Sequence, residues 1–283
     1  MVKNRNAMSA THWQGQLALT FDWKKGRTRL ARQEARMPLA FQKPFYPEGG
    51  EICHGTILHP PGGIANDDRL VMGIALENDA RVLLTTPGAN KVYGSAAGAI
   101  QTVRVSLAEG AAMEWLPQET IVFDGAKIRS ELRVFLERNT SWLSWDVLRF
   151  GRSGAGERFA TGHWKSATEI WQNGRPLWID RQLLAGGSPL LETAFGLKGQ
   201  PVMGTLVWIG KAVDQDTLDR CRQCGTYGHA EAEFAVTRLE QGLVARYLGA
   251  STANARRCFV AIWRILREVM FHRPLCPPRV WNT

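Results

Sequence analysis

Alternation of apolar and polar residues with a period of two is the clearest pattern along the chain. From 128 to 136 every second residue falls on a largely apolar face, and mainly arginine and glutamate lie between them. Such alternation predicts a half-buried β-strand. Asn173-Gly174 between the apolar runs 169–171 and 177–180 predicts a hairpin, because Asn-Gly is the common two-residue turn. Further short runs predict strands at 71–76, 81–86, 100–107, 121–123, 142–150, 204–209 and 243–248.

Helical spacing is confined to the last third of the chain. It predicts a helix over 216–224, with Asp216 as its N-cap and Gly225 as its stop. A longer helix is predicted over Thr252–Phe271, ended by Pro274. Its apolar face carries Phe259, Ile262, Trp263, Leu266, Val269 and Met270, and the opposite face is assigned Arg256, Arg257, Arg264, Arg267 and Glu268.

No linker, repeat or low-complexity tract divides these elements. The whole chain, 1–283, is therefore predicted to be one domain of mainly β fold with many short strands and two helices in the C-terminal third. Residues 1–13 are expected to form a flexible N-terminal segment.

Composition narrows the class of protein. With 45% hydrophobic residues the chain can bury a core, and its five cysteines are expected to be reduced thiols. The polar, basic N-terminus lacks a signal-peptide pattern, and no apolar run is long enough for a membrane span, so we expect a cytoplasmic protein. The net charge of +9 and the eleven tryptophans leave open a β-protein that binds nucleic acid or glycan.

The run Pro60-Pro61-Gly62-Gly63-Ile64 predicts a turn with unusual backbone angles, followed by the adjacent carboxylates of Asp67 and Asp68. Acids held by a loop suit hard or borderline cations. The alternative is an ordinary loop in which both acids cap backbone groups or face water.

Single acids also lie among bulky apolar residues. Asp146 follows Trp145, and Asp180 follows Trp178-Ile179. An inward-pointing carboxylate must be paired or coordinate a cation. Arg149 and Arg152 are the natural partners of Asp146, and this structural alternative stays as open as the functional one.

Several other groups carry weaker signals. Thr86, Lys91 and Tyr93 lie in a turn after a strand that lacks the spacing of a phosphate-binding loop. Cys221-Arg222-Gln223-Cys224 with His229 lacks a fourth zinc ligand, which favours a helix with two partly buried thiols. His54 and His59 could add imidazole ligands near the proline-glycine turn. The common catalytic signatures are missing from the sequence.

The run from Glu114 to Phe123, which includes Trp115-Leu116-Pro117 and Glu119, completes a set of motifs in a fixed order. Together they resemble the UreD (UreH) family of urease accessory proteins over most of the chain. Asp68 matches a family aspartate, Asn66 and Asp67 stand where the family usually has two glycines, and Asp180 replaces a usual glutamate. The resemblance implies a mostly β fold of helical or sandwich-like winding.

The resemblance also implies a function. Family members are not enzymes; they bind urease apoprotein and UreF, which recruits the nickel-carrying GTPase UreG, and nickel is thought to cross an internal polar passage. No tightly bound cofactor is expected, only nickel in transit, with no nucleic acid or membrane partner. The resemblance leads us to expect transient binding of nickel by Asp68, Glu114, Asp146 and Asp180. Further polar passage or motif residues are expected at Asp67, Thr86, Lys91, Tyr93, Glu119, Arg152 and Glu157.

Alanine at Asp68 or Asp146 is expected to lower urease activation while partner binding persists. Two competing classes remain at this point: the nucleic-acid or glycan binder, and a β-helical hydrolase or lyase that uses Glu114 and Glu119 as an acid–base pair.

Overall fold

The computed structural model describes residues 13–227 and 232–282 and consists mainly of β-strands. The strands are β1 Gln14–Lys24, β2 Arg27–Arg36, β3 Ala40–Phe41, β4 Ile52–Leu58, β5 Arg69–Leu76, β6 Arg81–Thr85, β7 Asn90–Val92, β8 Ala99–Leu107, β9 Ala112–Leu116, β10 Thr120–Val122, β11 Lys127–Leu136, β12 Ser141–Phe150, β13 His163–Gln172, β14 Arg175–Ala185, β15 Val202–Ile209, β16 Glu233–Leu239 and β17 Gly242–Gly249. The helices are α1 Gln215–Gln223 and α2 Thr252–Phe271.

These strands form two large sheets. One has seven strands in the order β14-β13-β11-β8-β5-β1-β2, and the other is ten-stranded, with β16-β17-β15-β12-β9-β6-β4-β3 as its main path. Between β4 and β13 the chain passes repeatedly from one sheet to the other, adding parallel neighbours to each. The mainly β fold with helical winding is therefore confirmed, although several strands reach ten or eleven residues.

The predicted strands are present. Most ends shift by one or two residues, whereas the two hairpin strands are longer than the runs that predicted them and extend to His163 and Ala185. The Asn173-Gly174 hairpin is also confirmed: φ is 49° at Asn173 and 77° at Gly174, and these positive angles are typical of the predicted turn. The seven-stranded sheet packs against one face of the ten-stranded sheet, and the two sheets share one hydrophobic core. On the other face α1 and α2 form a helix layer, which a second hydrophobic core, the helix-layer core, joins to the sheet.

The helices differ from expectation in detail. Asp214, not Asp216, caps α1, because its side chain accepts the backbone N–H of Thr217. A short 3-10 turn follows at Cys224–Tyr227, so Gly225 does not stop the helical path. The bounds of α2 are those predicted, but His272 in left-handed conformation ends it before Pro274 is reached.

Arg267 was wrongly assigned to the polar face of α2. Its side chain is fully buried against the ten-stranded sheet, whereas Arg264 is exposed as expected. Among the helices in 13–227 and 232–282, none has the length and apolar character that a membrane crossing requires. The predicted flexible segment lies outside the described residues except for Trp13, whose backbone N–H donates to Asp68.

Candidate functional site

A cavity of about 360 Å³ lies between the two sheets. Both sheets contribute polar side chains to its wall, because inward-facing positions alternate along each strand. From the seven-stranded sheet these are Gln101, Ser130, Ser166, Thr168, Asp180 and Gln182, and from the ten-stranded sheet and its rim Thr86, Lys91, Gln118, Thr120, Ser144, Asp146 and Thr205. The cavity therefore has a mixed wall, in which these polar groups lie among apolar side chains such as Leu70, Val103 and Trp164.

Asp146 is one of two carboxylates on the cavity wall in the described part of the chain. The even-numbered residues of β12 face the seven-stranded sheet, and its odd-numbered residues face α2. The Asp146 side chain is exposed to the cavity, and the cavity lies within the protein between the two sheets. This burial raises the pKa of Asp146 to about 6.

No hydrogen bond or ion pair to the Asp146 carboxylate occurs among residues 13–227 and 232–282. The expected alternative, pairing with Arg149 or Arg152, is not formed: Arg149 donates to the Ala250 carbonyl and to Ser153, and Arg152 pairs with Glu157. The cavity thus contains a carboxylate without a counter-ion, a group that favours a cation.

Asp180 also lines the cavity, from the edge strand β14. Its Oδ2 accepts hydrogen bonds from Arg246 Nη2 and Gln182 Nε2, each at 2.9 Å. Arg246 extends from β17 of the other sheet and also contacts Thr205, the cross-strand partner of Asp146. An ion pair between the two sheets therefore borders the cavity on this side.

His59, which the sequence offered as an additional imidazole ligand, also lines the cavity. Both ring nitrogens are buried and lack a hydrogen-bond partner in the described part of the chain. Burial lowers the pKa of His59, and the nearby Asp68 only partly opposes this shift. A neutral imidazole at the wall retains a lone pair for a metal ion.

Thr86 lies at the rim, in the loop after β6, and Lys91 lies nearby in β7. The Thr86 hydroxyl accepts the backbone N–H of Gln118 at 2.9 Å, and the Glu119 carbonyl accepts the N–H of Asn90. Glu119 itself is only half-buried and is not a wall residue. Two sequence motifs are thus joined by backbone pairing at one edge of the cavity.

Asp68 lies in a separate pocket of about 170 Å³, together with Asp67. It is buried, and its carboxylate accepts the backbone N–H groups of Trp13 at 2.7 Å and Ala65 at 2.9 Å. Asn66 and Asp67 have φ of 45° and 64°, the left-handed conformation that glycine adopts most readily. The loop thus keeps a glycine-like backbone despite its substitutions.

The proline-glycine turn packs on Tyr93. A Cβ placed on Gly63 would lie 2.3 Å from a ring carbon of Tyr93 and 2.9 Å from the Lys91 carbonyl oxygen. Only glycine fits this approach. The ring of Tyr93 in turn meets Phe123 edge-to-face, with centroids 5.0 Å apart.

Arg152 and Glu157 form a partly exposed pair beside Phe123. Two Arg152 nitrogens donate to Glu157 Oε2, and the guanidinium carbon lies 4.8 Å from the Phe123 ring centre. This pair does not line the cavity. Of the eleven residues predicted as passage or motif positions, the wall includes Thr86, Lys91, Asp146 and Asp180.

Glu114 faces the helix layer rather than the cavity. Its Oε1 accepts from Trp263 Nε1 at 2.5 Å and Arg267 Nε at 2.8 Å, and its Oε2 accepts from Arg267 Nη2 at 2.8 Å. This buried network was not predicted, because its members are about 150 residues apart in sequence. A carboxylate held in this way is poorly suited to act with Glu119 as an acid–base pair.

The remaining groups fit structural roles. Cys221 and Cys224 are buried, which raises the pKa of their thiols to about 12 and about 11, while His229 lies outside the described residues. Six of the eleven tryptophans are buried, so they do not offer a stacking surface for nucleic acid or glycan: Trp115, Trp142, Trp145, Trp164, Trp208 and Trp263.

Comparison with known proteins gives a consistent result. The family profile described as UreD urease accessory protein matches residues 14–282. The chain is similar to proteins named urease accessory protein UreD from Acaryochloris marina (46% identity over 270 residues, 95% of each chain) and Nostoc punctiforme (43% over 278 residues, 98% of this chain and 99% of the relative). A third, from Methylobacillus flagellatus, is 41% identical over 278 residues, covering 98% and 97%.

Proposed function

The chain belongs to the UreD family of urease accessory proteins, and we propose that it serves the maturation of urease as a non-catalytic scaffold. In this role it binds urease apoprotein together with UreF and, through UreF, the GTPase UreG. Nickel released by the GTPase then passes through the cavity between the two sheets toward the urease active site. The observation that carries the passage is the unpaired Asp146 carboxylate inside that cavity.

A conduit must attract a divalent ion without retaining it, which calls for several sites that are individually weak. Carboxylate and hydroxyl oxygens bind nickel less tightly than a set of thiolates and imidazoles would. The polar groups on the wall are mainly hydroxyls, carboxylates and amides, and His59 supplies the one imidazole among the described residues that line it. Its composition therefore supports transit rather than storage.

The charges on the wall support the same function. The Asp146 carboxylate has no counter-ion among the described residues. It therefore attracts an entering cation without competition from a paired side chain. The ammonium of Lys91 at the rim and the guanidinium of Arg246 beside Asp180 oppose this attraction. The balance limits how long a dication stays at any one position.

Asp68 is included in this proposal as a residue of the smaller pocket next to the cavity. Its pocket shares Ile128 with the wall of the main cavity, and the Asp68 charge acts on His59, which lines that cavity. Glu114 is on the opposite face of the sheet and serves to hold α2. We therefore assign the transit positions to Asp146, Asp180 and, at one end, Asp68.

The experiment measures nickel-dependent urease activity in cells that express urease and the remaining accessory proteins, with or without this chain. Activity should be lost without the chain, restored by the wild type, and restored only in small part by Asp146→Asn. Asp216→Asn, which changes an exposed acid on α1, is the matched control and should restore activity fully.

Co-purification of urease and UreF with each variant separates transit from assembly. Asp146→Asn should retain both partners. Equal activity with and without the chain would contradict the accessory role, and full activity of Asp146→Asn would contradict the passage through this cavity.

A further inference from the structure

A second group of metal-ligating atoms lies on the other side of the ten-stranded sheet from the cavity. Glu48, His54 and Cys276 each offer one ligand atom, and these atoms all lie within 4.8 Å of one another. His54 shares the helix-facing side of β4 with Ile52, which packs in the helix-layer core. We propose that this Glu48–His54–Cys276 cluster binds one borderline divalent cation, of the class of Ni²⁺ and Zn²⁺.

The donor set fits that class. It combines an imidazole nitrogen, a thiol sulfur and a carboxylate oxygen, and borderline cations accept all three, whereas Mg²⁺ and Ca²⁺ prefer oxygen ligands. Three protein ligands leave one tetrahedral position for water or an exchanging ligand. His54 is buried, and Glu48 and Cys276 are half-buried, so the site is sheltered while Cys276 gives access from the surface.

The charges around the cluster favour a cation. Arg267 donates to both Glu48 and Glu114, and with both carboxylates ionised this buried trio has one net negative charge. A dication bound with the Cys276 thiolate and a neutral His54 would bring the total to zero. The neighbouring Arg273 does not change this count, because it pairs with Glu51.

Arg267 does not block the proposed position. It donates to Glu48 Oε2 at 2.5 Å and to Oε1 at 2.9 Å, and a carboxylate oxygen has a second lone pair. The second lone pair of Glu48 Oε1 faces His54 Nε2, which lies 2.6 Å away. A metal ion between these two atoms requires their separation to widen to roughly 3 Å or more, a small displacement of the imidazole.

Arg267 also positions the loop that carries the thiol. Its Nη1 donates to the Pro274 carbonyl at 3.0 Å, two residues before Cys276. Burial, together with the Glu48 charge, raises the pKa of the Cys276 thiol. The site would join the segment after α2 to the start of β4.

This inference is independent of nickel transit, because the cluster and the cavity are on opposite faces of one sheet. The test is titration of the purified, metal-free full-length chain with Ni²⁺, Zn²⁺ or Mg²⁺ alone, and with Co²⁺ as a spectroscopic probe. We expect one equivalent of Ni²⁺ or Zn²⁺ to bind, no competition from Mg²⁺, and thiolate-to-metal charge-transfer absorption with Co²⁺ and Ni²⁺.

Cys276→Ser should abolish that absorption and weaken binding at least about tenfold, the loss that even outer-shell changes cause at metal sites. His54→Gln, whose folding is verified by circular dichroism, should weaken binding to a similar extent. Cys258→Ala removes a buried thiol of α2 and is the control for the loss of a cysteine; Asp146→Asn is the control for the cavity.

Wild-type chain without thiolate absorption would overturn the proposal, and so would absorption that survives in Cys276→Ser. Binding that is lost in Asp146→Asn but kept in Cys276→Ser would place the metal in the cavity, which contradicts this site while supporting the proposed passage.

Discussion

Arg267 on α2 and Glu114 on β9 form a bidentate, fully buried ion pair, with Nε–Oε1 and Nη2–Oε2 distances of 2.8 Å each. The same guanidinium also holds Glu48 and the Pro274 carbonyl. One side chain thus links the helix layer, the ten-stranded sheet and the C-terminal segment. Burial alone would lower the pKa of Arg267, but the two carboxylates raise it further above its usual range.

Replacing Arg267 should therefore be severely destabilising. In Arg267→Gln both carboxylates stay buried without their cation, and the loss of one partner of a buried pair costs about 3–5 kcal/mol. Arg267→Lys keeps the charge but loses the planar fork, so its loss should be intermediate. Urea unfolding followed by tryptophan fluorescence gives the free energies.

Arg264→Gln is the control, since Arg264 lies one turn away on the exposed face of α2. Its effect should stay within about 0.5 kcal/mol. Equal stability of Arg267→Gln and Arg264→Gln would show that the buried network does not hold the helix layer.

Gly63→Ala should disrupt the contact between the proline-glycine turn and Tyr93. The added methyl group would meet the ring at 2.3 Å and the Lys91 carbonyl at 2.9 Å, and overpacking of this kind costs about 1–3 kcal/mol. Gly88→Ala, where nothing lies within 4 Å, should be neutral or slightly stabilising. Thermal unfolding of the two variants compares them, and an unchanged melting temperature for Gly63→Ala would contradict the packing.

Local patterns were sufficient to predict most strands and the bounds of α2. Period-two alternation and helical spacing depend on near neighbours, and Asn173-Gly174 carries its own backbone preference. The strand Arg27–Arg36 escaped individual prediction because nearly all its residues are exposed and polar. It pairs with β1 at the sheet edge, so it has only one neighbouring strand and little alternation to detect.

Arg267 shows how residue type can mislead. It follows Trp263 by four residues and Phe259 by eight, which places it on the buried face by helical geometry alone. Its charge suggested the polar face instead, because arginine is rarely buried without partners. The partners Glu48 and Glu114 are more than 150 residues away, and a single sequence does not reveal such pairings.

The cavity was predictable only in part. Asp146 and Asp180 stand out as single acids among apolar residues, and both line the cavity. Glu114 shows a similar local signal, yet it faces the helices. Asp68, one of two adjacent acids in a loop, accepts backbone N–H groups instead. Which face of a strand meets the interior is fixed by the winding of the chain, which local sequence does not specify.

The Asp146 carboxylate should make stability depend on pH. Its pKa is about 6 in the folded protein and 3.8 when unperturbed, so between these values the native state binds more protons than the unfolded state. Stability is therefore lost as pH rises from about 4 to about 6. Asp146→Asn does not titrate, and it should be more stable than wild type at pH 7 by about 1 kcal/mol, after discounting for exposure to the cavity.

The measurement is urea unfolding of both proteins across this pH range. Their stabilities should converge at pH 4, where the wild-type carboxyl is protonated in the folded protein. A constant difference at every pH would mean that Asn acts through packing rather than charge. A gain in stability accompanied by lost urease activation would fit a site that gives up stability for function.

Asp180→Asn and Arg246→Gln break the same ion pair but leave different groups at the cavity. Arg246 is half-exposed, so either change should cost no more than about 1 kcal/mol. If the Asp180 carboxylate attracts nickel, Asp180→Asn should lower nickel-dependent urease activation. Arg246→Gln should maintain activation or extend it to lower nickel concentrations, because it removes the guanidinium that competes with nickel for the Asp180 carboxylate. If the pair only joins the two sheets, both variants should lower activation equally, and measuring them side by side at limiting nickel decides between these roles.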